Sequence, residues 1–592
     1  MNRREFLRQS GVVSLAVGAA DGRFGRCFAA PNAVCKAGAM LTLEVTADRH
    51  FVIRRDDSMY EEFPELCLLP SGSVLCVYKV GPKHGPGGLV ILMESDDRGR
   101  TWKTVREFRL ECNMPRLQRL SDGRMWLDSD SGGKVLIGED DGRRWKEHNV
   151  GFGGHGHDKI IELANGSWIN TTCEPTSRGW HFRGPPYRIV LYRSTDQGQT
   201  WTRDAIVADV PGFHLSEATT VLLADGKLVS YIRDSSGLAH GCVRAVSADN
   251  GRTWEVDRAP FNFAMPRGGL LKDGRELVVG RNFAGNMSLY AWCDRPLAAD
   301  GFKVQSLWAP DDSAEMTDGG LRIRCTDAEP TGAAAGRRMT ARKVDSKFGP
   351  GWEGLTTSGI EPPVYILPAP RRRDSTVTID ARLRVLSNKN GLACVISITE
   401  AEEVLFRTDR VEVFGQPDRA FKLDGAKFHD YRVVRDADSL TVLVDGTERI
   451  RTTKLGRSRG VGYGGDTTHF GTSYRAFRHP FGSQDHFRRR KVVGAGESVW
   501  QRVKISVENP NACGDTWSWD AADGAYPDQY QRDRMVEVKF QPLPNGQGGP
   551  SWVQFPDGEI LVVHNGAMAE DAPRPFLMGC TLKPSIFGAP AG

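Results

Sequence analysis

Apolar and polar residues alternate along most of this chain in short runs, separated by turn-forming residues. Leu228-Val229-Ser230-Tyr231-Ile232-Arg233 is one such run, and Leu75-Cys76-Val77 lies within another. A period of two, rich in β-branched and aromatic residues, predicts strands rather than helices. The runs come in pairs around a glycine. Leu69-Pro70-Ser71-Gly72-Ser73-Val74-Leu75 leads from one strand into the next, and the same shape returns at Asp122-Gly123, Asn165-Gly166, Asp225-Gly226, Asp273-Gly274 and Asp557-Gly558. Successive turn glycines lie 51, 43, 60 and 48 residues apart. Each interval holds about four short strands. The last interval, 284 residues, leaves room for a separate domain.

An eight-residue turn recurs between the glycine turns. Its copies are Ser95-Asp96-Asp97-Arg98-Gly99-Arg100-Thr101-Trp102, Ser194 to Trp201 and Ser247 to Trp254, with a degenerate form at Gly138 to Trp145. Asp and Ser side chains can bond the turn backbone, Gly takes a positive φ, and Trp packs beneath. This S-x-D-x-G-x-T-W pattern resembles the Asp-box of sialidases and related β-propellers. Six glycine turns predict six blades, with Leu41 to Arg55 supplying the strand that closes the last blade against Pro573 to Lys583. The expected fold is all-β: a six-bladed β-propeller with an inserted β-sandwich between blades 5 and 6.

The insertion reads as strands at Thr376 to Leu383, Ala393 to Ile398 and Tyr431 to Arg435, followed by a hairpin over Asp438 to Arg451. That hairpin resembles those of laminin-G and concanavalin-like jelly rolls, modules that often bind sugars. The expected division is a targeting segment at 1–30, blades 1 to 5 at 41–300, the sandwich at 300–510 and blade 6 at 511–592. The basic runs Arg371-Arg372-Arg373 and Arg488-Arg489-Arg490-Lys491 fall in or beside the sandwich and read as solvated faces.

Composition narrows the classes. Among 592 residues, 78 basic and 74 acidic side chains leave a net charge of +4, which offers no basic field for nucleic acid. No apolar run is long enough to span a bilayer. Arg3-Arg4-Glu5-Phe6-Leu7, the apolar stretch Gly11 to Ala20 and Phe28-Ala29-Ala30 resemble a twin-arginine signal peptide. That resemblance implies bacterial export to the periplasm or beyond, with the twin-arginine machinery as a partner.

Chemistry is expected where the innermost strands begin, at the mouth of the propeller axis. Seven residues before each turn glycine stand Glu65, Arg116, Lys159, Thr219, Arg267 and Ser551, all polar. The sialidase resemblance implies three arginines on a substrate carboxylate, a tyrosine nucleophile activated by a glutamate, and an aspartate as acid/base. Glu217 and Arg233 match the family's glutamate and second arginine in spacing. Arg281 is the nearest counterpart of the third. Glu62 replaces the first arginine, Gly549 stands where the tyrosine should be, and the run from Lys79 to Gly85 has no aspartate. The remaining acid/base groups are carboxylates among Glu62, Glu65, Asp158 and Glu217, or histidines. His155-Gly156-His157-Asp158 opens the third inner strand, and His84 lies in the first blade's loop. Tyr530, entering the sixth blade, is a candidate for returning a tyrosine to the site.

The expected catalytic residues are Glu217, His157, Asp158 and Glu65. Arg233, Arg116, Arg267, Glu62, His84, Arg281 and Tyr530 are expected to hold substrate. No metal or cofactor is called for. The function implied is a sialidase-like glycoside hydrolase releasing a terminal sugar from an extracellular glycan. A non-catalytic glycan-binding propeller and a histidine-dependent polysaccharide lyase or rhamnosidase-like enzyme are the alternatives.

Overall fold

The computed structural model describes residues 50–84, 87–110, 112–129, 133–151, 154–176, 186–235, 241–282, 289–299, 301–307, 314–325, 342–346, 349–353, 364–367, 375–388, 393–399, 402–455, 468–472, 495–508, 514–539, 548–566 and 574–588. The twin-arginine segment and both basic runs lie outside these residues.

Six four-stranded antiparallel sheets form the blades. The first four are continuous in sequence, spanning Tyr60–Phe108, Arg116–Asn149, Ile161–Ala208 and Leu215–Arg258. The sixth consists of Gly548–Gln554, Ile560–Gly566 and Phe576–Leu582, completed by His50–Arg54 from the chain's other end. His50 pairs with Cys580 and Val52 with Met578, so the ring closes through the expected strand. This pairing joins the two ends of the chain in one blade, and each blade keeps a short outer strand as its edge.

Each turn glycine does the same work. Gly72, Gly123, Gly166, Gly226, Gly274 and Gly558 have φ between 83° and 92°. Each donates its N–H to the carbonyl three residues earlier, as Gly72 does to Leu69 and Gly558 to Phe555. The Asp-boxes are equally uniform. Ser95 Oγ accepts from the Gly99 amide at 2.8 Å, Asp97 accepts from the Thr101 amide and hydroxyl, and Trp102 Nε1 donates to the Gly99 carbonyl at 2.8 Å. The copies at Ser194 and Ser247 repeat these bonds. In the degenerate copy Gly138 replaces the serine, because Met125 Cβ and the Trp145 ring would lie 2.9 Å and 3.0 Å from any added Cβ.

The box tryptophans also seal the seams between blades. Trp102 packs with blade 1 and blade 6 residues including Leu66, Val553 and Leu561. Trp145, Trp201 and Trp254 occupy the next three seams. Trp201 is buried and the other three are half-buried, so each box packs apolar surface into a seam as well as closing a turn. Polar ties run beside them between inner strands. The amides of Leu66, Ile160, Thr220 and Gly268 donate to Ser551 Oγ, Gln118 Oε1, Asp158 Oδ2 and Thr219 Oγ1 of the neighbouring blade.

Antiparallel alternation sorts the two faces. Glycine turns lie at one end of every blade, with the Asp-boxes of blades 1 to 4 beside them, while starts of inner strands and ends of second strands meet at the other. The sandwich enters on the turn side and departs from expectation in its point of insertion. Met535–Lys539 pairs with Leu289–Asp294 as the outer strand of blade 5, so the insertion interrupts blade 5 where its Asp-box would stand. Blade 5's first two strands are Phe263–Leu270 and Glu276–Asn282. The sandwich has sheets of seven and eight strands over one core that includes Tyr365, Ile379, Leu383, Phe470, Trp500 and Ile505. The eight-stranded sheet takes in Asp515–Asp520, beyond the expected limit at 510.

Asp97, Asp196 and Asp249 are each held at about 2, chiefly by their threonine hydroxyl and amide bonds. A carboxylate depressed on folding contributes stability above its ordinary value near 4, and that contribution is lost as pH falls towards 2. The thermal midpoint should therefore drop steeply from pH about 4 to about 2. The triple variant Asp97→Asn, Asp196→Asn, Asp249→Asn should show a lower midpoint at neutral pH and a shallower acid limb.

Candidate functional site

The inner strands bulge where they reach the axis. Phe63, Glu217, Met265 and Gly549 each stand nine residues before a turn glycine, and all have φ between 50° and 56°. The ladder slips at the same place, between Glu62 and Glu65, Ser216 and Thr219, Ala264 and Arg267, and Gly548 and Ser551. Such bulges re-aim side chains, and left-handed non-glycine residues mark strain the surroundings must hold. Phe63, Met114 and Met265 pack together as an apolar cluster. Gly549 joins them through its amide, 3.1 Å from Met265 Sδ. A Cβ at Gly549 would lie 2.7 Å from the Phe63 ring, so that ring occupies the space beside the position assigned to the tyrosine nucleophile.

The predicted polar ring converges on Glu65, which is fully buried. Its Oε1 lies 2.7 Å from Lys159 Nζ and accepts from Ser551 Oγ at 2.7 Å. Its Oε2 lies 3.5 Å from Arg116 Nη1 and 3.4 Å from Arg267 Nε. Burial opposes ionisation, yet Lys159, Arg267 and Arg116 hold this carboxyl below its ordinary range. Arg267 is pulled down to about 10 by burial and by Arg116, and a guanidinium remains charged there. The sixth member, Thr219, serves an inter-blade bond instead.

A second carboxylate cluster sits where blades 4 and 5 meet. Glu217 Oε1 accepts from Arg233 Nη1 at 2.6 Å, and Oε2 accepts from the Met265 amide at 3.0 Å. Burial again opposes ionisation, but Arg233, Arg281 and Arg267 hold Glu217 ionised and below its usual range. Burial and the neighbouring Arg233 pull Arg281 down to about 9. Glu217 and Glu65 thus face five cationic side chains between them.

The remaining expected residues fall into smaller groups. Glu62 is buried, with Oε1 2.8 Å from His84 Nδ1 and Oε2 3.5 Å from Lys79 Nζ. His84 keeps half its surface in solvent. His157 is buried against Asp128, Nδ1 to Oδ1 being 2.9 Å. Asp158 is buried too, and desolvation raises its carboxyl despite the Thr220 amide. It ties blade 3 to blade 4.

Tyr530 is not brought to this face. Its hydroxyl bonds Asp294 Oδ2 at 2.7 Å on the short helix Gln529–Arg534. Asp294 pairs with Glu276, whereas Arg281 pairs with Leu289 at the other end of the same ladder. Five residues of strand, about 16 Å, separate the two ends. The segment returns on the turn side because the insertion leaves and re-enters there.

Sequence reasoning passed over Lys79 and Asp128, and left His155, Tyr187 and His214 out of the site. Counting seven residues forward from Gly72, Gly226, Gly274 and Gly558 reaches Lys79, Arg233, Arg281 and Asn565, each paired across the ladder with the residue before a bulge. That second count would have found Lys79. Among the described residues no group of three or more His, Cys, Asp or Glu side chains could hold a metal ion.

Residues 42–282 match the BNR repeat-like domain. No curated protein matches the chain. Among solved structures it is similar to a protein of unknown function from Dyadobacter fermentans, at 19% identity over 41% of this chain and 81% of that one, TM-score 0.36. It is similar to an alpha-L-arabinanase from Penicillium chrysogenum at 13% identity, over 48% and 93% of the two chains, TM-score 0.34. For a Trypanosoma rangeli sialidase the values are 12% identity, 75% and 91% coverage, and TM-score 0.30.

Glu65→Gln keeps the shape of the hub and removes its charge, leaving Arg116, Lys159 and Arg267 without their shared counter-ion. Breaking a buried ion pair from one side costs about 3–5 kcal/mol. Urea unfolding should register a loss of that size, while Lys159→Met, which leaves two cations on Glu65, should cost less.

Proposed function

With a BNR repeat-like domain forming its first blades, this chain is, we propose, a glycoside hydrolase that binds an acidic sugar on the face opposite its Asp-boxes. The carrying observation is Glu217 clamped by Arg233 and flanked by Arg281 and Arg267. Guanidinium groups suit a sugar carboxylate because each offers paired donors in a fixed plane. The cationic excess around Glu217 and Glu65 favours an anionic ligand over a neutral one.

Within this reading Glu217 works as an ionised acceptor. Held below its usual range, it keeps no proton to donate at neutral pH; it orients a substrate hydroxyl or takes a proton from attacking water. Arg233 and Arg281 fix the acid group of the sugar. Glu65, locked by four partners, supports the arginines from beneath rather than touching substrate. The reaction differs from tyrosine-based sialidase chemistry, since Gly549 stands in the tyrosine's place beside Phe63. That same observation favours a second reading, glycan binding without turnover.

A release screen separates the two. The purified protein is incubated with sialosides, uronate-bearing polysaccharides and neutral arabinans, and products are identified by mass spectrometry. Release of an acidic monosaccharide is expected, with Glu217→Gln lowering kcat by about 100-fold or more, as for loss of one aligned polar group in an active site. A glycan that is retained yet yields no product would replace the hydrolase reading with the binding one. An unsaturated uronate product would instead establish elimination.

A further inference from the structure

A hydrolase of this kind needs a group able to give up a proton, and the buried carboxylates do not provide it. Glu62 and Glu65 are fully buried, His157 is 1% exposed and Asp158 4%. Glu217 is held ionised by its arginines. His155 differs from all of them. It is exposed ahead of the third inner strand, and its backbone is fixed by an isolated bridge to Cys173, His155 N to Cys173 O at 3.3 Å and Cys173 N to His155 O at 2.9 Å. Its ring meets Tyr187 edge to face at 4.7 Å and 87°. Tyr187 meets His214 on its other side, also at 4.7 Å, at 64°.

This stack bridges blades 3 and 4 beside the arginine-clamped carboxylate. A methyl group at Gly156, next to His155, would stand 3.7 Å from the Glu217 amide nitrogen. The charged and titratable groups around the imidazole are His157 on its own segment, Tyr187 on blade 3, and His214 and Glu217 on blade 4. Partial desolvation beside the stack and His157 disfavour its protonated form, and Glu217 favours it. Edge-to-face aromatic contacts hold ring orientation, worth about 0.5–1.5 kcal/mol each. Tyr187 therefore has the place of a wedge that fixes the imidazole plane from one side while His214 braces it from the other.

We infer that His155 is the proton donor of the proposed hydrolase and that Tyr187, held between His155 and His214, is its positioning residue. The inference rests on the hydrolase reading above. In the step, the imidazolium gives its proton to the glycosidic oxygen as the bond to the anomeric carbon breaks. The bonding pair stays on that oxygen, which leaves as a hydroxyl. Water adds to the anomeric carbon and loses a proton to Glu217. That proton returns through solvent to His155, so one water is consumed per bond cleaved and the enzyme is restored.

The test uses the whole protein and whichever glycan the release screen shows to be cleaved. His155→Asn should lower kcat about 100-fold or more, the range for loss of a general acid, with KM within about threefold and an unchanged thermal midpoint. A donor must be protonated, so wild-type kcat should fall as pH rises through the imidazole's value, which lies below the ordinary 6.5. That limb should vanish in His155→Asn. Tyr187→Phe keeps the ring contact and should retain activity, whereas Tyr187→Ala should lose about tenfold in kcat while keeping the limb. His84→Asn controls for the other histidine exposed among the described residues and should leave the limb in place. Wild-type kcat and an intact limb in His155→Asn would overturn the assignment and leave the hydrolase reading standing. Transfer of the effect to His84→Asn would do the same. Absence of release by the wild type from every glycan would overturn the hydrolase reading and the donor with it.

Discussion

One buried carboxylate ties the axis of this protein together. Glu65 belongs to blade 1, and its partners come from blades 2, 3, 5 and 6 through Arg116, Lys159, Arg267 and Ser551. A buried charge is tolerated only when neighbours compensate its lost hydration, and three cations with a hydroxyl do so here. Compensation runs both ways: Arg116 and Arg267 could not be buried at the axis without Glu65. Two residues before the hub position, the inner strands of four blades bend.

They bend in left-handed bulges at Phe63, Glu217, Met265 and Gly549. In three blades the bulge aims an apolar side chain or a bare glycine at the axis. In blade 4 it aims a carboxylate, and the second strands of blades 4 and 5 bring Arg233 and Arg281 against it. The polar face of the propeller is thus asymmetric. Its charge is gathered at blades 4 and 5, the histidine and tyrosine stack stands on blades 3 and 4, and the Glu62, Lys79 and His84 group occupies blade 1. A ligand meeting this face would encounter cationic donors on one side and an imidazole beside them.

Much of the fold was legible in sequence because it is built from turns, and turns are local. A glycine at φ near 90° and a Ser-x-Asp-x-Gly-x-Thr-Trp octet carry their own hydrogen bonds, so their periodicity counts the blades before any long-range contact is known. The ring of polar residues seven positions before each glycine was legible for the same reason. Function within that ring was not. Glu65 and Glu217 have similar sequence settings, yet one is locked among four partners on the axis and the other accepts from an arginine on the polar face. His157 and His155, two residues apart, differ in the same way, since one is buried on Asp128 and the other stands in solvent against Tyr187. Tyr530 misled because chain order hides which end of a strand an insertion returns to.

By itself the sequence determined the number of blades, their turns, the closing strand and the existence of a second β-rich unit. The turns depend on interactions within about eight residues, the number of blades and the need for a closing strand on a repeated count, and the second unit on local alternation. Tertiary structure alone decided that the sandwich interrupts blade 5, that Phe63 fills the space beside Gly549, and that Glu65 serves five blades while Glu217 faces three arginines. Those outcomes depend on which strands lie side by side around a closed ring. Burial and counter-charges there come from residues hundreds of positions apart, and no local pattern records them.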